Sequence, residues 1–170
     1  MSSEVGSRDA RSRVDSACVA GMGPLLSGNA VLHHLGFVVP SISTAAEGFA
    51  ASISARWDNQ IIHDPIQRVR VAFFNPVDAR NPVFELVEPA SDASPVSNFL
   101  KKGGGLHHVC YEIDDLELGL REARDAGLAV VAAPAPAVAF GGRSIAWVWS
   151  KNRLLIELLE RHRSRSGNAD

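Results

Sequence analysis

Two histidine pairs and two glutamates recur in the same order along the chain, and together they could bind a metal ion. In sequence order they are His33-His34, Glu85, His107-His108 and Glu157. Each histidine pair opens a stretch rich in β-branched and aromatic residues, and each glutamate stands among apolar residues. Imidazoles and carboxylates suit a divalent ion of intermediate softness, such as zinc, nickel, cobalt, manganese or ferrous iron. The repeat therefore predicts one site to which each half of the chain contributes a histidine and a glutamate.

Strand alternation limits which residue of each pair can reach such a site. Neighbouring residues in a strand point to opposite faces, so only one histidine of each pair can line the interior. The same argument separates each glutamate from the second glutamate three residues later. Glu85 and Glu157 are flanked on both sides by apolar residues, and a buried, unpaired carboxylate is costly. A cation would remove that cost, whereas the alternative is a set of surface histidines and solvated glutamates.

The composition argues against several other functions. The 170 residues are 46% hydrophobic and 21% charged, with a formal net charge of −2, which is ordinary for a globular protein. There is no basic surface of the kind that nucleic-acid binding needs, and no apolar run long enough to span a bilayer. Cys18 and Cys110 lack the spacing of a pair. We therefore expect no disulfide framework and a cytoplasmic protein.

The elements that must position the histidines and glutamates form two similar sets. Each set is predicted as a strand, a helix and three further strands. The predicted strands are 31–39, 61–63, 67–75, 83–88, 106–113, 128–131, 143–149 and 154–160. The first helix is predicted over 43–54, with a capping box at Thr44–Glu47. The second is capped by Asp114 or Asp115 and stopped by Gly127.

The repeated pattern predicts an α+β fold of two βαβββ modules, residues 31–89 and 106–160. One open module leaves a sheet face uncovered, so the two are expected to pack as a pseudo-symmetric pair. Ser94 and Pro95 predict a short linking helix over 94–102, with Ser94 as its cap. Residues 1–30 are predicted to be a disordered extension, and residues 161–170 a disordered tail.

Several motifs resemble the vicinal oxygen chelate superfamily, and within it the methylmalonyl-CoA epimerases and their glyoxalase-like relatives. The motifs are His34-x-Gly36, the Glu85–Pro89 strand end, Ser94-Pro95 with Phe99-Leu100, and Gly105–His108. The resemblance covers about residues 31–160 and implies a cup-shaped mixed sheet around a divalent ion. The ligands that it implies are His34, Glu85, His108 and Glu157.

The resemblance also implies an activity: a metal-dependent epimerase or isomerase that removes a proton next to a carbonyl, acting on a small molecule such as an acyl-CoA, in a homodimer. Glu157 and Glu85 are the candidate catalytic bases. Some epimerases carry a base carboxylate on the strand that corresponds to residues 67–74, and this chain has no acid there. The alternatives are a glyoxalase-type lyase or another superfamily enzyme of secondary metabolism, and a metal-free small-molecule-binding protein of the resistance type.

The expected substrate contacts lie at a strand edge and in a loop. They are Gln67, Gly141, Gly142 and Arg143. Residues 137–143 resemble the family's glycine-containing loop beside the substrate thioester, where glycines permit close backbone approach. Trp147 and Trp149 share one face of a predicted strand and are interpreted as packing residues.

Overall fold

The computed structural model describes residues 30–162, so the predictions for residues 1–29 and 163–170, including Cys18, lie outside the described part of the chain. The strands are β1 (Val31–Val38), β2 (Ala55–Trp57), β3 (Ile62–Asp64), β4 (Val69–Pro76), β5 (Val83–Pro89), β6 (Gly105–Ile113), β7 (Ala129–Pro136), β8 (Ser144–Trp149) and β9 (Leu155–Glu160). The helices are α1 (Ile42–Ser52), α2 (Ser97–Lys101) and α3 (Leu116–Asp125). None of these helices is long and apolar enough to cross a membrane.

All nine strands belong to one mixed sheet, which confirms the predicted α+β class. The strand order is β2-β4-β5-β1-β6-β9-β8-β7, with β3 paired to β4. β1 and β6 are antiparallel neighbours at the centre, and each runs parallel to the last strand of its own module, β5 or β9. The two modules therefore meet along their first strands, and the histidine pairs lie beside each other at that junction.

The helices α1 and α3 cover one face of the sheet, and the site lies on the other face, where the short helix α2 packs at its edge. α1 packs on Ala72, Phe74 and Leu86, and α3 packs on the equivalent residues of the second module. Because side chains alternate along a strand, Glu85 and its second-module counterpart Glu157 point away from the helices. The apolar neighbours of each glutamate thus pack against the helices, and the glutamates lie on the face of the sheet away from α1 and α3.

The structure corrects several predicted boundaries. α1 begins one residue before the predicted start, and the capping box predicted at Thr44–Glu47 is wrong. Ser41 is the cap, because its hydroxyl accepts a hydrogen bond from the Thr44 amide. Asp115 caps α3, as one of the two predicted alternatives. Ser94 does not cap α2, which begins at Ser97, and its buried hydroxyl makes no hydrogen bond to the described residues. The strand β2 was not predicted, and β7 extends through Pro136 into the region predicted as a loop.

Candidate metal centre

Four buried side chains meet at the junction of the two modules. His34 comes from β1, Glu85 from β5, His108 from β6 and Glu157 from β9. Their relative exposures are 0, 5, 2 and 3%, respectively. The Nε2 atoms of the two histidines are 3.1 Å apart. The His34 Nε2 lies 3.3 Å from an Oε2 of each glutamate, and the His108 Nε2 lies 3.3 and 3.5 Å from the same two atoms.

These separations are those of ligands around one ion. With bonds of about 2.1 Å to nitrogen and oxygen, neighbouring ligands lie about 3.0 Å apart in an octahedron and about 3.4 Å apart in a tetrahedron. The five distances that involve a histidine nitrogen lie between 3.1 and 3.5 Å, close to this range. Two neutral donors and two carboxylates would also balance the charge of a divalent cation. The donor set therefore fits a divalent metal of the intermediate type predicted from the sequence.

The histidines and glutamates also stabilise each other's charged forms. Burial disfavours a charged imidazole, but the charge of Glu85 and the hydrogen bonds to both glutamates outweigh it and raise the pKa of His34 to about 10. The same competition raises the pKa of His108. The histidines in turn lower the pKa of Glu85 and of Glu157, against the effect of burial. A cation entering this cluster would have to replace protons on the imidazoles.

The other histidine of each pair does not lie where simple alternation places it. His33 Nδ1 is 2.9 Å from His34 Nδ1, and His107 Nδ1 is 3.0 Å from His108 Nδ1. We expected His107 on the opposite face of its strand, but it lines the same cavity as His108. Burial, followed by the charge of His108, lowers the pKa of His107 to about 4. Burial and His34 likewise lower the pKa of His33.

Gly36 explains why the first strand carries a His-x-Gly motif. In the sheet register Gly36 lies between Glu85 on β5 and His108 on β6. A Cβ atom at this position would lie 2.0 Å from Cε1 of His108. The imidazole of His108 therefore occupies the volume that any side chain at position 36 would need.

A cavity of about 420 Å³ opens above the four side chains. Glu85, His108 and Glu157 form part of its lining, and most of the remaining lining residues are apolar. Trp147 and Trp149, which were interpreted as packing residues, both line it, on the face of β8 opposite α3. Trp147 also packs edge-on against His108, with ring centroids 4.9 Å apart. Such a cavity suits a small molecule with an apolar part and one polar group at its base.

The loop after β7 contributes to the cavity through Phe140 and not through its glycines. Phe140 stacks on His34, at a centroid distance of 5.8 Å, and packs edge-on against His33. The buried carboxylate of Asp64 holds this loop by accepting a hydrogen bond from the Val138 amide, at 2.8 Å. Asp64 also accepts from the Ile66 and Gln67 amides, so it fixes the opposite rim of the cavity as well.

The expected substrate contacts separate into two places. Gln67 lines the cavity above the four side chains, beside the exposed Arg68. Gly141, Gly142 and Arg143 instead line a second, more open pocket on the other side of the loop. The Arg143 guanidinium is paired there with Glu112, at 2.5 Å.

Comparison with known proteins agrees with this architecture. Residues 33–147 match the Glyoxalase/Bleomycin resistance protein/Dioxygenase superfamily. The chain belongs to this superfamily. An ethylmalonyl-CoA/methylmalonyl-CoA epimerase of Cereibacter sphaeroides is 30% identical over 135 residues, covering 75% of this chain and 95% of the relative. The uncharacterised protein YqjC of Bacillus subtilis is 33% identical over 132 residues, covering 76% and 91%.

Solved structures share the fold. A hypothetical protein from Bacillus halodurans C-125 aligns with a TM-score of 0.70 at 25% identity, covering 82% of this chain and all of the other. A methylmalonyl-CoA epimerase from Mycobacterium tuberculosis aligns with a TM-score of 0.64 at 24% identity, covering 86% and 95%. The resemblance found in the motifs is confirmed, and the homologues support an epimerase-like protein.

Sequence reasoning missed four residues that shape the site. They are His33, Asp64, Arg68 and Phe140. The repeated histidine pair indicated that His33 could matter, but strand alternation placed it on the face away from the site. Asp64 is the last residue of β3, Arg68 lies in the turn before β4, and Phe140 ends a 3-10 helix, Val138–Phe140, after β7. No local sequence pattern distinguishes these three from ordinary surface or loop residues.

Proposed function

We propose that the chain is a divalent-metal-dependent isomerase that moves a proton at the carbon next to a carbonyl, with an acyl-CoA such as methylmalonyl-CoA as its substrate. The observation that carries this proposal is the convergence of two histidines and two glutamates at the base of an apolar cavity. Homology to epimerases at 30% identity supports the substrate class.

In this proposal His34, Glu85, His108 and Glu157 hold the ion. The chemistry that a bound divalent ion supplies is Lewis-acid polarisation of a carbonyl oxygen, which makes the adjacent C–H more acidic. The apolar walls exclude water, so charges at the base of the cavity interact more strongly than they would in solvent. Gln67 and Arg68 stand at the cavity rim, where they can contact the polar part of a substrate.

The carboxylates of Glu85 and Glu157 are the proton acceptors that the geometry offers. Both line the cavity, and in the metal-free protein the two histidines lower the pKa of each carboxyl against the effect of burial. A bound cation would favour the ionised carboxylates in the same way. Asp64 also lines the cavity, but three backbone amides already occupy its carboxylate. We assign the base role to Glu157 or Glu85, acting with its oxygen turned toward the substrate carbon.

A second candidate function follows from the part of the cavity wall that β4 forms. The cavity-facing residues of β4 include Val69 and Val71, which cannot transfer a proton. Epimerisation needs a proton removed on one face of the carbon and returned on the other, whereas a glyoxalase-type lyase or an isomerase can use one base for both steps. The apolar β4 wall favours such a one-base reaction. A metal-free binding protein is less well supported, because it needs no cluster of ligating side chains.

The test is solvent deuterium exchange at the α-carbon of methylmalonyl-CoA, followed by mass spectrometry against the protein-free rate. We expect exchange with metal-loaded protein, loss of exchange after chelation, and recovery when metal is returned. Chiral analysis of the product then separates epimerisation from exchange with retained configuration. Because Glu85 and Glu157 are also ligands in this proposal, Glu157→Gln and Glu85→Gln should each weaken metal binding, and they are compared at a metal concentration that saturates both. The metal-loaded variant that lacks the base should fail to exchange the proton, whereas the other should still exchange it.

An absence of exchange by metal-loaded protein would rule out this substrate. Exchange that is unaffected by complete removal of metal would contradict the metal-dependent mechanism. In that case the carboxylates would have to act without a Lewis acid, and the convergence of the histidines would need another explanation.

A further inference from the structure

We propose that His33 and His107 are positioning residues, each of which accepts a hydrogen bond from Nδ1–H of the neighbouring histidine and thereby aims Nε2 of His34 or His108 at the ion. The inference rests on the metal-binding role proposed above. It assigns a function to His33 and His107, whose side chains are not among those that contact the glutamates in the cluster.

Two matching irregularities in the sheet place these histidines. Along the β1–β6 ladder the step from Leu32 to His34 on β1 faces the single step from Tyr111 to Cys110 on β6, so His33 is an extra residue. A β-bulge of this kind turns a side chain out of strict alternation.

The second irregularity is the mirror of the first. The step from Gly36 to Phe37 on β1 faces the step from His108 to Leu106 on β6, so here His107 is the extra residue. Each central strand thus carries one bulge, immediately before its buried histidine. The internal repeat therefore reproduces the bulge as well as the ligand.

Metal binding through Nε2 determines which nitrogen of each histidine pair donates the hydrogen bond. The Nδ1 atoms of each pair are 2.9 and 3.0 Å apart, which is a hydrogen-bond distance. One nitrogen must donate and the other accept. Because a histidine that binds metal through Nε2 offers a lone pair there, its hydrogen is on Nδ1. His34 and His108 are therefore the donors, and His33 and His107 are the acceptors.

Other side chains hold the acceptor rings in place. Phe140 packs edge-on against His33, with centroids 5.5 Å apart, and Phe99 does the same to His107 at 4.8 Å. The rings of each histidine pair are nearly perpendicular, at 80 and 88°. Each ligand ring is thus fixed by a partner that is itself packed.

The choice of acceptor also has an electrostatic consequence. Metal-bound histidines commonly donate to carboxylates or backbone carbonyls. Two more carboxylates here would add negative charge to a site that already contains two. Imidazole acceptors orient the ligands without further neutralising a divalent cation, which preserves its ability to polarise a substrate carbonyl.

The test compares substitutions that keep or remove an acceptor. In His33→Asn and His107→Asn the amide oxygen occupies nearly the position of Nδ1, whereas leucine fills similar space without an acceptor. Cobalt affinity is measured by chelator competition, and the visible spectrum of the cobalt-loaded protein reports ligand geometry. We expect each leucine variant to lose about 10- to 100-fold in affinity and to change the spectrum. Each asparagine variant should remain within about threefold of wild type.

The outcomes separate this inference from the proposed function. Failure of wild-type protein to bind cobalt contradicts the metal site itself. Binding by wild type, with equal losses in the leucine and asparagine variants or no loss in either, contradicts only the positioning role. Long-range ¹H–¹⁵N NMR of zinc-loaded wild type gives the tautomers without substitution, in case a leucine variant does not fold. Hydrogen on Nε2 of His33 and His107 supports the inference, and hydrogen on their Nδ1 atoms overturns it.

Discussion

Replacement of Gly36 by alanine should disrupt the metal centre although residue 36 is not a ligand. The added Cβ would lie 2.0 Å from Cε1 of His108, and ordinary contact begins at 3.4 Å. One of the two must therefore move by about 1.4 Å. The β1 backbone cannot easily move, because it is paired on both sides, with β5 and with β6. The imidazole must move instead, and a metal–nitrogen bond of about 2.1 Å does not survive such a displacement.

The expected loss is at least about 100-fold in metal affinity, or about 2.7 kcal/mol, as one of four ligands is removed. Overpacking should also destabilise the metal-free protein by about 1–3 kcal/mol. Both quantities can be measured, by chelator competition and by denaturant unfolding with and without metal. Gly48→Ala in α1 is the matched control, because its Cβ would meet nothing within 4 Å. It should keep wild-type affinity and gain up to about 1 kcal/mol in stability. Wild-type metal affinity in Gly36→Ala would refute the reasoning.

Three further predictions concern protons, the cavity rim and α3. The pKa of His34 is raised to about 10, so its contribution to the stability of the metal-free protein is complete below pH 6.5 and is lost as the pH rises through 10. A metal ion competes with the same proton for the imidazole. Chelator competition between pH 6.5 and 8.5 should therefore show metal affinity rising by at least about tenfold per pH unit. A flat profile would contradict this. Asp64→Ala leaves three backbone amides without their acceptor and should destabilise the protein by about 2–4 kcal/mol in denaturant unfolding. Cobalt affinity should change less than in His33→Leu. An unchanged unfolding free energy would show that the hydrogen bonds to Asp64 contribute little to stability. Gly119→Ala places a Cβ 2.5 Å from the terminal methyl group of Ile113, which can rotate away. The free energy of unfolding should therefore change by no more than about 1 kcal/mol, and metal affinity should not change. A larger loss of stability would show that Ile113 cannot move away from α3.

The sequence predicted most of the fold because the elements that form the site are repeated and regular. The apolar residues that flank Glu85 and Glu157 predicted two buried strands, and the structure buries both glutamates. Asp115 and Gly127 marked the two ends of α3 through local hydrogen bonding and a positive φ, which short-range rules describe well.

The failures share a non-local cause. The bulges at His33 and His107 exist only in the pairing of β1 with β6, so strand alternation read from one segment assigns His107 to the wrong face. Asp64 matters because it reaches Val138 in the other module. The position of Phe140 over His34 likewise depends on how the two modules meet.

The central claim is that one divalent ion is bound jointly by both modules. Equilibrium dialysis of purified protein against zinc, followed by elemental analysis, tests it directly. We predict one zinc ion per chain for wild type, and loss of that ion both in His34→Ala, which alters the first module, and in His108→Ala, which alters the second. No bound zinc in wild type, or one ion retained by either variant, would contradict the account.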